Sequence, residues 1–408
     1  MTPLLWALLS ILITTIDSKD YTGYKLFKVN NTDNVLQFIE SFNIYELNGV
    51  DIMLINRNAT HALVSPHVQM EFGALLQQLN ATYTIDNNIQ RKIDAEQLRR
   101  RTGRHGFHEK QFFDAIRPLK EIQSFVSKLV REHANVAKLK SIGKTYEGND
   151  IEMVVISDSS EAKPKLIFIE AGLHAREWIA PATALYFLQN IVENFHNFSE
   201  ILRDVEINIV PVANPDGYKH TFTTDRLWRK NRQPNEGSTC IGVDLNRNFG
   251  YHWGETGTSE DPCSESYGGD RAFSGLESTY IARYLVANMK RLVSFVDLHS
   301  YGKDIFYPYG YRKNTYLNKD YMHSMAQHIE SAISKNRGTK YEIGTAADLI
   351  YESSGGVDDY AAGVLGVPLT FTIELPHDDF LIPAEEVEPI GSETTDGLIE
   401  LLRIVVDY

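Results

Sequence analysis

Two histidines and a glutamate have the residue types and spacing of a zinc site. His174 and Glu177 lie in GLHAREWIAP, and His299 lies in VDLHSY. Zn²⁺ binds imidazole nitrogen and carboxylate oxygen, and a catalytic site keeps its fourth position for water. Glu374, in LTFTIELPH, also follows an apolar run and is a candidate base. The pattern therefore predicts an open, hydrolytic metal site.

Short apolar runs rich in Val, Ile and Phe would position these side chains. The runs are IEMVVIS, KLIFIE, VEINIVPV, LVSFVDL and LTFTIEL, and helical stretches such as 182–194 and 277–290 separate several of them. We expect an α/β domain with a mixed, twisted sheet covered by helices on both faces. Ligands of such folds collect at the carboxyl ends of strands. Three strand ends would therefore deliver His174, His299 and Glu374 to one edge.

The first hundred residues predict a smaller unit of a different kind. Residues 20–101 read as β-α-β-β-α-β, the order of a ferredoxin-like α+β module. The basic stretch QLRRRTGRHG follows. It is either a solvated helix end or a cleavage site for a trypsin-like protease, after Arg99, Arg100, Arg101 or Arg104. We assign 19–104 to this unit and 105–408 to the α/β domain.

The N-terminus predicts export. Residues 3–16, PLLWALLSILITTI, form an apolar run of signal-peptide length, and we assign 1–18 to a signal peptide. An uncleaved anchor is the competing interpretation. No later stretch has membrane-spanning length, so the mature chain is expected to be secreted and free of the membrane. Glycosylation sequons begin at four asparagines, Asn30, Asn58, Asn80 and Asn197.

Charge and cysteine content exclude several alternatives. The 408-residue chain carries a net charge of -14, which argues against a nucleic-acid partner. Its two cysteines, Cys240 and Cys263, are too few for a cysteine-based zinc site. In an exported chain they are most simply one disulfide, and two buried free thiols are the alternative.

Several longer stretches carry a family resemblance. GLHAREWIAP, NPDGY, RLWRKNR, CIGVDLNRNFGYHWG, PCSESYGG, FVDLHSYG, YPYGY, IYESSGGVDD and FTIEL occur in this order from about residue 107 onward. Together they resemble the secreted, pancreatic-type zinc metallocarboxypeptidases of the A/B family, and 20–101 resembles that family's activation domain. The resemblance implies a zymogen that a trypsin-like protease activates and that then removes the last residue of peptides and proteins. It also implies a Cys240–Cys263 disulfide.

The same resemblance implies roles at the reacting centre. His174, Glu177 and His299 match the ligands of one zinc ion, and Asp244 in GVDLNRN matches a carboxylate that orients the first histidine. Glu374 matches the general base, which would take a proton from the zinc-activated water and give it to the leaving amine.

Further residues are expected to contact the substrate. Arg229 in RLWRKNR matches the cation that stabilises the oxyanion. Other positions match residues that bind the terminal carboxylate or line the site. Arg247, Asn246 and Tyr351 match the carboxylate binders, and Arg176 matches a further substrate-binding arginine nearer the mouth. Ser300 and Tyr301, directly after the second histidine, are also expected at the substrate.

Substrate preference depends on SSGGVDD. Asp358 falls where the B-type, Lys/Arg-preferring enzymes carry an acidic residue, and a pocket carboxylate pairs with a basic side chain. Ala346 would leave room for a long side chain. Gly310 in YPYGY instead resembles the A-type, and a one-residue shift to Asp359 would remove the argument. We expect B-like specificity, with A-type preference as the alternative.

Two other classes compete with an enzyme. A binding protein on the same fold would lose metal ligands or the base, whereas this chain keeps all of them. A plain zinc-binding or adhesion module would not need Arg247, Asn246, Tyr351 and a removable leader.

Overall fold

The computed structural model describes residues 18–41, 47–102, 109–158 and 163–408. The predicted signal peptide, apart from residue 18, and the predicted cleavage position after Arg104 lie outside these residues, and so does the side chain of Arg101. Among the described residues, no helix is both long and apolar enough to cross a bilayer.

The N-terminal unit is a four-stranded antiparallel sheet with helices. The strand order is β2-β3-β1-β4, with β1 paired to β3 and β4. A cluster that includes Phe27, Ala62 and Phe72 packs its strands against its helices. The elements are β1 (Lys25–Asn30), α1 (Asp33–Ser41), β2 (Val50–Ile55), β3 (Ala59–Val64), α2 (Gln69–Gln78), β4 (Tyr83–Asp86) and α3 (Ile89–Thr102).

The second unit is built on an eight-stranded mixed sheet of order β11-β10-β12-β9-β7-β8-β6-β5. Its elements are α4 (Leu119–Glu132), β5 (Ala137–Lys144), β6 (Asp150–Ile156), β7 (Lys165–Ala171), α5 (Ile179–Glu193), α6 (Ser199–Leu202), β8 (Val205–Val210), α7 (Pro215–Thr223), α8 (Leu276–Asn288), β9 (Leu292–Ser300), β10 (Asp304–Phe306), α9 (Lys319–Arg337), β11 (Glu342–Gly344), α10 (Ala346–Leu349), α11 (Val357–Gly363), β12 (Leu369–Leu375) and α12 (Val387–Asp407).

The centre of this sheet is parallel and buried on both faces. Strands β12, β9, β7 and β8 run parallel, and every residue of β8 is buried. One core cluster packs α4, α5, α9 and α12 against the sheet, and another packs α8 and α11 against it. Continuous apolar runs are what a strand covered on both faces requires. The predicted fold class, a mixed sheet with helices on both faces, is confirmed.

The helices pack against the sheet through stripes of periodic apolar side chains. In α4 the buried residues are Leu119, Ile122, Phe125, Val126 and Leu129, which repeat every three to four positions and form one stripe.

Strand pairing defines the edge of the sheet at which the candidate site lies. Glu374 at the end of β12 lies directly opposite His299 at the end of β9. The carboxyl ends of β7, β9 and β12 therefore meet at one edge.

The two units share an apolar interface. Met53, Leu63 and Ile89 of the N-terminal unit form one cluster with Tyr301 and Phe380 of the larger unit. This cluster lies beside the sheet edge where the candidate ligands converge, so the smaller unit is packed against that edge. Elsewhere in the larger unit, Cys240 and Cys263 form a disulfide, and the alternative of two free thiols is wrong.

Candidate metal centre and active site

Three buried side chains converge at the edge of the sheet. His174 and Glu177 lie in the segment after β7, and His299 is at the end of β9. Nδ1 of His174 is 2.8 Å from one Glu177 oxygen, and Nδ1 of His299 is 2.9 Å from the other. One donor atom from each residue lies within 4.8 Å of the other two. Two nitrogens and one carboxylate make a donor set that fits a catalytic zinc ion.

Each of the two histidines is held from behind by a carboxylate. Nε2 of His174 is 3.0 Å from Oδ1 of Asp244, and Nε2 of His299 is 2.6 Å from Oδ2 of Asp297. A carboxylate at the outer nitrogen fixes the ring and its tautomer. Both Nδ1 atoms are thereby directed into the cluster, as ligands would be.

The sequence motifs did not single out Asp297, although its spacing from His299 predicts a contact between the two side chains. Asp297 and His299 are two positions apart in an apolar strand, and alternate residues of a strand face the same side. An Asp-x-His pair at a strand end therefore predicts contact between the two side chains.

Charged neighbours keep the carboxyl groups of Glu177 and Asp244 ionised. Burial opposes ionisation of Glu177, but the two imidazoles outweigh burial and hold its pKa well below the ordinary value. The pKa of Asp244 is likewise depressed, because Arg229 and then His174 outweigh the effect of burial. Both carboxylates are therefore anionic near neutral pH, as a cation-binding site needs.

Glu374 stands beside the ligands without joining their hydrogen bonds. Its Oε2 is buried and has no hydrogen-bond partner within the described ranges. Burial raises the pKa of Glu374 to about 8; nearby His299 opposes the rise, and the carboxylate of Glu177 adds to it. A carboxyl group poised near neutral pH can both accept and donate a proton, which is the requirement for general acid–base work.

Arg229 presents a fixed positive charge to the same cavity. Its Nε and Nη2 donate to Oδ2 of Asp244 at 3.0 and 2.8 Å. Its Nη1 remains 3.9 Å from Glu177, and the residue lines the cavity. Asp244 therefore orients a ligand histidine with one oxygen and a cavity cation with the other.

Asn246, Arg247 and Tyr351 also line this cavity. The Asp244 side chain accepts the backbone N–H of Asn246 and begins the short helical turn that carries Asn246 and Arg247. Arg247 Nη2 donates to the Tyr351 hydroxyl at 2.9 Å, and the carboxamide oxygen of Asn246 accepts from the backbone of Val357 at 2.9 Å. Together they form a polar group that can bind an anion.

Consecutive aspartates, Asp358 and Asp359, have different environments. Asp359 accepts the backbone N–H groups of Gly310 and Tyr311 at 2.8 and 2.9 Å, and it does not line the cavity. Asp358 lines the cavity and accepts the Thr372 hydroxyl at 3.3 Å. Burial raises the pKa of Asp358. Gly310 and Ala346 line the same cavity and leave space in it.

The N-terminal unit covers the cleft. Residues 52–55 of β2 line the cavity. Arg176 has no exposed surface and does not line the cavity; its Nη1 and Nη2 lie 2.5 and 3.3 Å from the Asp51 carboxylate. Tyr301, which lines the cavity, bonds through its hydroxyl to Nδ1 of His61 at 2.9 Å. Ser300, also at the cavity, donates its backbone N–H to Glu177.

Comparison with known proteins agrees with this site. A family model described as zinc carboxypeptidase matches residues 122–397. A zinc carboxypeptidase of Simulium vittatum is 37% identical over 290 residues, 70% of this chain and 95% of the relative. Carboxypeptidase B of Astacus astacus is 36% identical over 292 residues, 70% of this chain and 96% of the relative.

Other relatives also span the N-terminal unit. Zinc carboxypeptidase A 1 of Drosophila melanogaster is 31% identical over 423 aligned residues, 98% of this chain and 96% of the relative. The crystal structure of carboxypeptidase A from Helicoverpa armigera superimposes with a TM-score of 0.88 at 29% identity, covering 95% of this chain and 98% of that structure.

Proposed function

This chain belongs to the zinc carboxypeptidase family, a family of peptidases, and from that premise we propose that it is the secreted precursor of an exopeptidase for C-terminal Lys and Arg. The observation that carries the proposed preference is the pair of aspartates in α11. Asp359 is engaged by backbone N–H groups, whereas Asp358 faces the cavity.

An exopeptidase must recognise the substrate's free carboxylate. Arg247 offers a planar set of N–H donors for a bidentate bond, Asn246 offers amide donors, and Tyr351 offers a phenol. All three side chains line the cavity, and Arg247 and Tyr351 already contact one another. This group would hold the last residue so that the preceding amide lies beside the metal ligands.

Cleavage then depends on a charge and a proton carrier. Zn²⁺ held by His174, Glu177 and His299 would supply Lewis-acid catalysis. Glu374 takes a proton from water and later gives it to the amine nitrogen that leaves. Arg229, fixed by Asp244, faces the cavity with a positive charge and stabilises the oxygen that becomes negative.

Asp358 selects the side chain of the last residue. A half-buried carboxylate that faces a cavity gains most from a cation or strong donor, and the side chain that now donates to Asp358 is the neutral Thr372 hydroxyl. The ammonium of Lys or the guanidinium of Arg would complete that environment. Gly310 and Ala346 leave the cavity open to a long side chain.

The N-terminal unit keeps the peptidase activity of the precursor low. Its strand β2 lies over the cavity, and Asp51 pairs with Arg176 beside the metal cluster. We assign to Arg176 a role in substrate binding once Asp51 has left. A trypsin-like protease would release the unit by cutting in the basic stretch 97–104. Export to an oxidising compartment agrees with the disulfide.

The test is a set of peptides that differ only in the last residue. The full chain is treated with trypsin and assayed on peptides ending in Lys, Arg, Phe and Leu, with and without a chelator. We expect preference for Lys and Arg, loss of activity with the chelator, and slow hydrolysis before trypsin treatment.

Asp358→Ile tests the pocket. Loss of one partner of a buried charge pair costs on the order of 2–5 kcal/mol, so hydrolysis of Lys and Arg peptides should fall strongly relative to Phe and Leu. A wild-type preference for Phe or Leu would instead establish the A-type alternative. Hydrolysis of none of the peptides by a zinc-loaded, trypsin-treated chain would favour a binding protein.

A further inference from the structure

Asp304 is an acidic residue that lines the cavity and has no role in the reaction described above. Asp304, the first residue of β10, lines the cavity with a relative exposure of only 5%. No hydrogen bond or ion pair reaches its carboxyl group from any residue that the structure describes. It is therefore a buried, unpartnered acid directed at the substrate space.

Strand pairing defines where Asp304 lies. Strand β10 is antiparallel to β12, with Asp304 opposite Glu374 and Phe306 opposite Thr372. Residues directly opposite in a sheet project from the same face, so these four side chains form one wall. The sheet order β10-β12-β9 places Asp304 on the side of Glu374 remote from the metal ligands. Asp358 joins the same wall through its bond to Thr372.

Among the residues that the structure describes, no cation pairs with the Asp304 carboxyl group. Burial, and secondarily the Glu342 carboxylate, raise the pKa of Asp304 to about 7. The two cavity arginines have other partners, since Arg229 is bound to Asp244 and Arg247 to Tyr351. A buried carboxyl group without a donor is costly, and an entering cation with N–H donors would relieve that cost.

We infer that Asp304 is a second specificity-determining residue, which recognises the ammonium or guanidinium group of a basic substrate residue together with Asp358. This inference rests on the proposed exopeptidase function. Asp304 adds negative charge to the wall that Asp358 joins at Thr372, and it lies level with Glu374 on that wall. A pocket with two carboxylates discriminates against apolar residues more strongly than one, because an apolar side chain would bury both without a partner.

Two substrates of equal shape isolate the charge. One peptide ends in Lys and its counterpart ends in norleucine, which has a side chain of similar length without the ammonium. The measured quantity is the ratio of kcat/KM for the two peptides on the trypsin-treated full chain. Because the ratio is internal to each preparation, it does not depend on the fraction of protein that is correctly folded.

Asp304→Asn removes the charge and keeps the shape, and we expect the Lys/norleucine ratio to fall roughly tenfold. Asp304→Leu is measured in parallel and should give the same direction. Glu342→Gln is the matched control, since Glu342 is an exposed acid opposite Asp304 on β11 and does not line the cavity. Removal of its charge favours the ionised form of Asp304, so the ratio should not fall.

The outcomes separate the two proposals. A wild type that prefers Lys, with an unchanged ratio in both Asp304 variants, overturns the role of Asp304 and leaves the proposed function intact. A wild type that prefers norleucine overturns the Lys/Arg preference itself. Equal losses in the Asp304 variants and in Glu342→Gln would reduce the effect to general surface charge and would also refute the inference.

Discussion

Removal of the Asp51 charge should partly open the uncut precursor. Arg176 has no side-chain exposure and Asp51 has 20%, so Asp51→Asn leaves a buried guanidinium without its counter-ion. Removing one partner of a fully buried pair costs about 3–5 kcal/mol. Because Asp51 is partly exposed and the amide still accepts a hydrogen bond, we expect about 2 kcal/mol. That value corresponds to a shift of about 30-fold toward the open form.

The assay is hydrolysis of a short peptide with C-terminal Lys by the uncut chain, which should rise about 30-fold over the wild type. After trypsin treatment the two proteins should be equally active, because the segment that carries Asp51 has been released. Arg57→Ala is the matched control. Arg57 is exposed and contacts the Asp348 carbonyl across the same two units at 3.2 Å, so its loss should change little. An uncut Asp51→Asn chain as slow as the wild type would refute the reasoning.

Three further predictions address the centre and the core. Glu374→Gln keeps the shape and removes the proton carrier, so turnover should fall by roughly 10³ while metal analysis shows unchanged zinc; near-normal turnover would exclude Glu374 as the base. Asp297→Asn removes the carboxylate behind His299 and should weaken zinc affinity by roughly 10–100-fold in a chelator competition, and unchanged affinity would contradict its positioning role. Burial raises the pKa of the Glu277 carboxyl group from 4.5 to about 7. Protonation of this group therefore stabilises the native state relative to the unfolded chain. The free energy of unfolding should therefore fall as the pH rises from 4.5 to 7, by at most about 1.4 kcal/mol per pH unit. Glu277→Gln should flatten that slope in urea unfolding, and an equal slope in both proteins would show that other groups cause it.

The sequence predicted the strands that are buried on both faces and missed those at the margins. The runs that form β6, β7, β8, β9 and β12 are continuous and apolar, because helices cover both sides of these strands. Strand β5, AKLKSIGK, is an edge strand with mostly polar, exposed positions. Strands β10 and β11 have three residues each, too few for any periodicity to emerge.

For the site, motif and strand-end arguments named the metal cluster and Glu374 in advance. They could not find Asp304, since it belongs to a strand that the pattern did not reveal. They assigned Arg176 to the substrate but could not reveal its ion pair with Asp51. A contact between residues 125 positions apart depends on how the two units pack, which local sequence does not encode.

The division of the cavity between strands and connecting segments has an evolutionary consequence. His299 and Glu374 are carried by adjacent strands in fixed register, and a slip of one residue would turn both side chains to the opposite face. Tyr351 and Asp358 instead come from the stretch between β11 and β12, outside the sheet. Mutation and insertion can alter that stretch without moving the reacting groups. Related enzymes can therefore differ in substrate specificity while they keep the same catalytic groups.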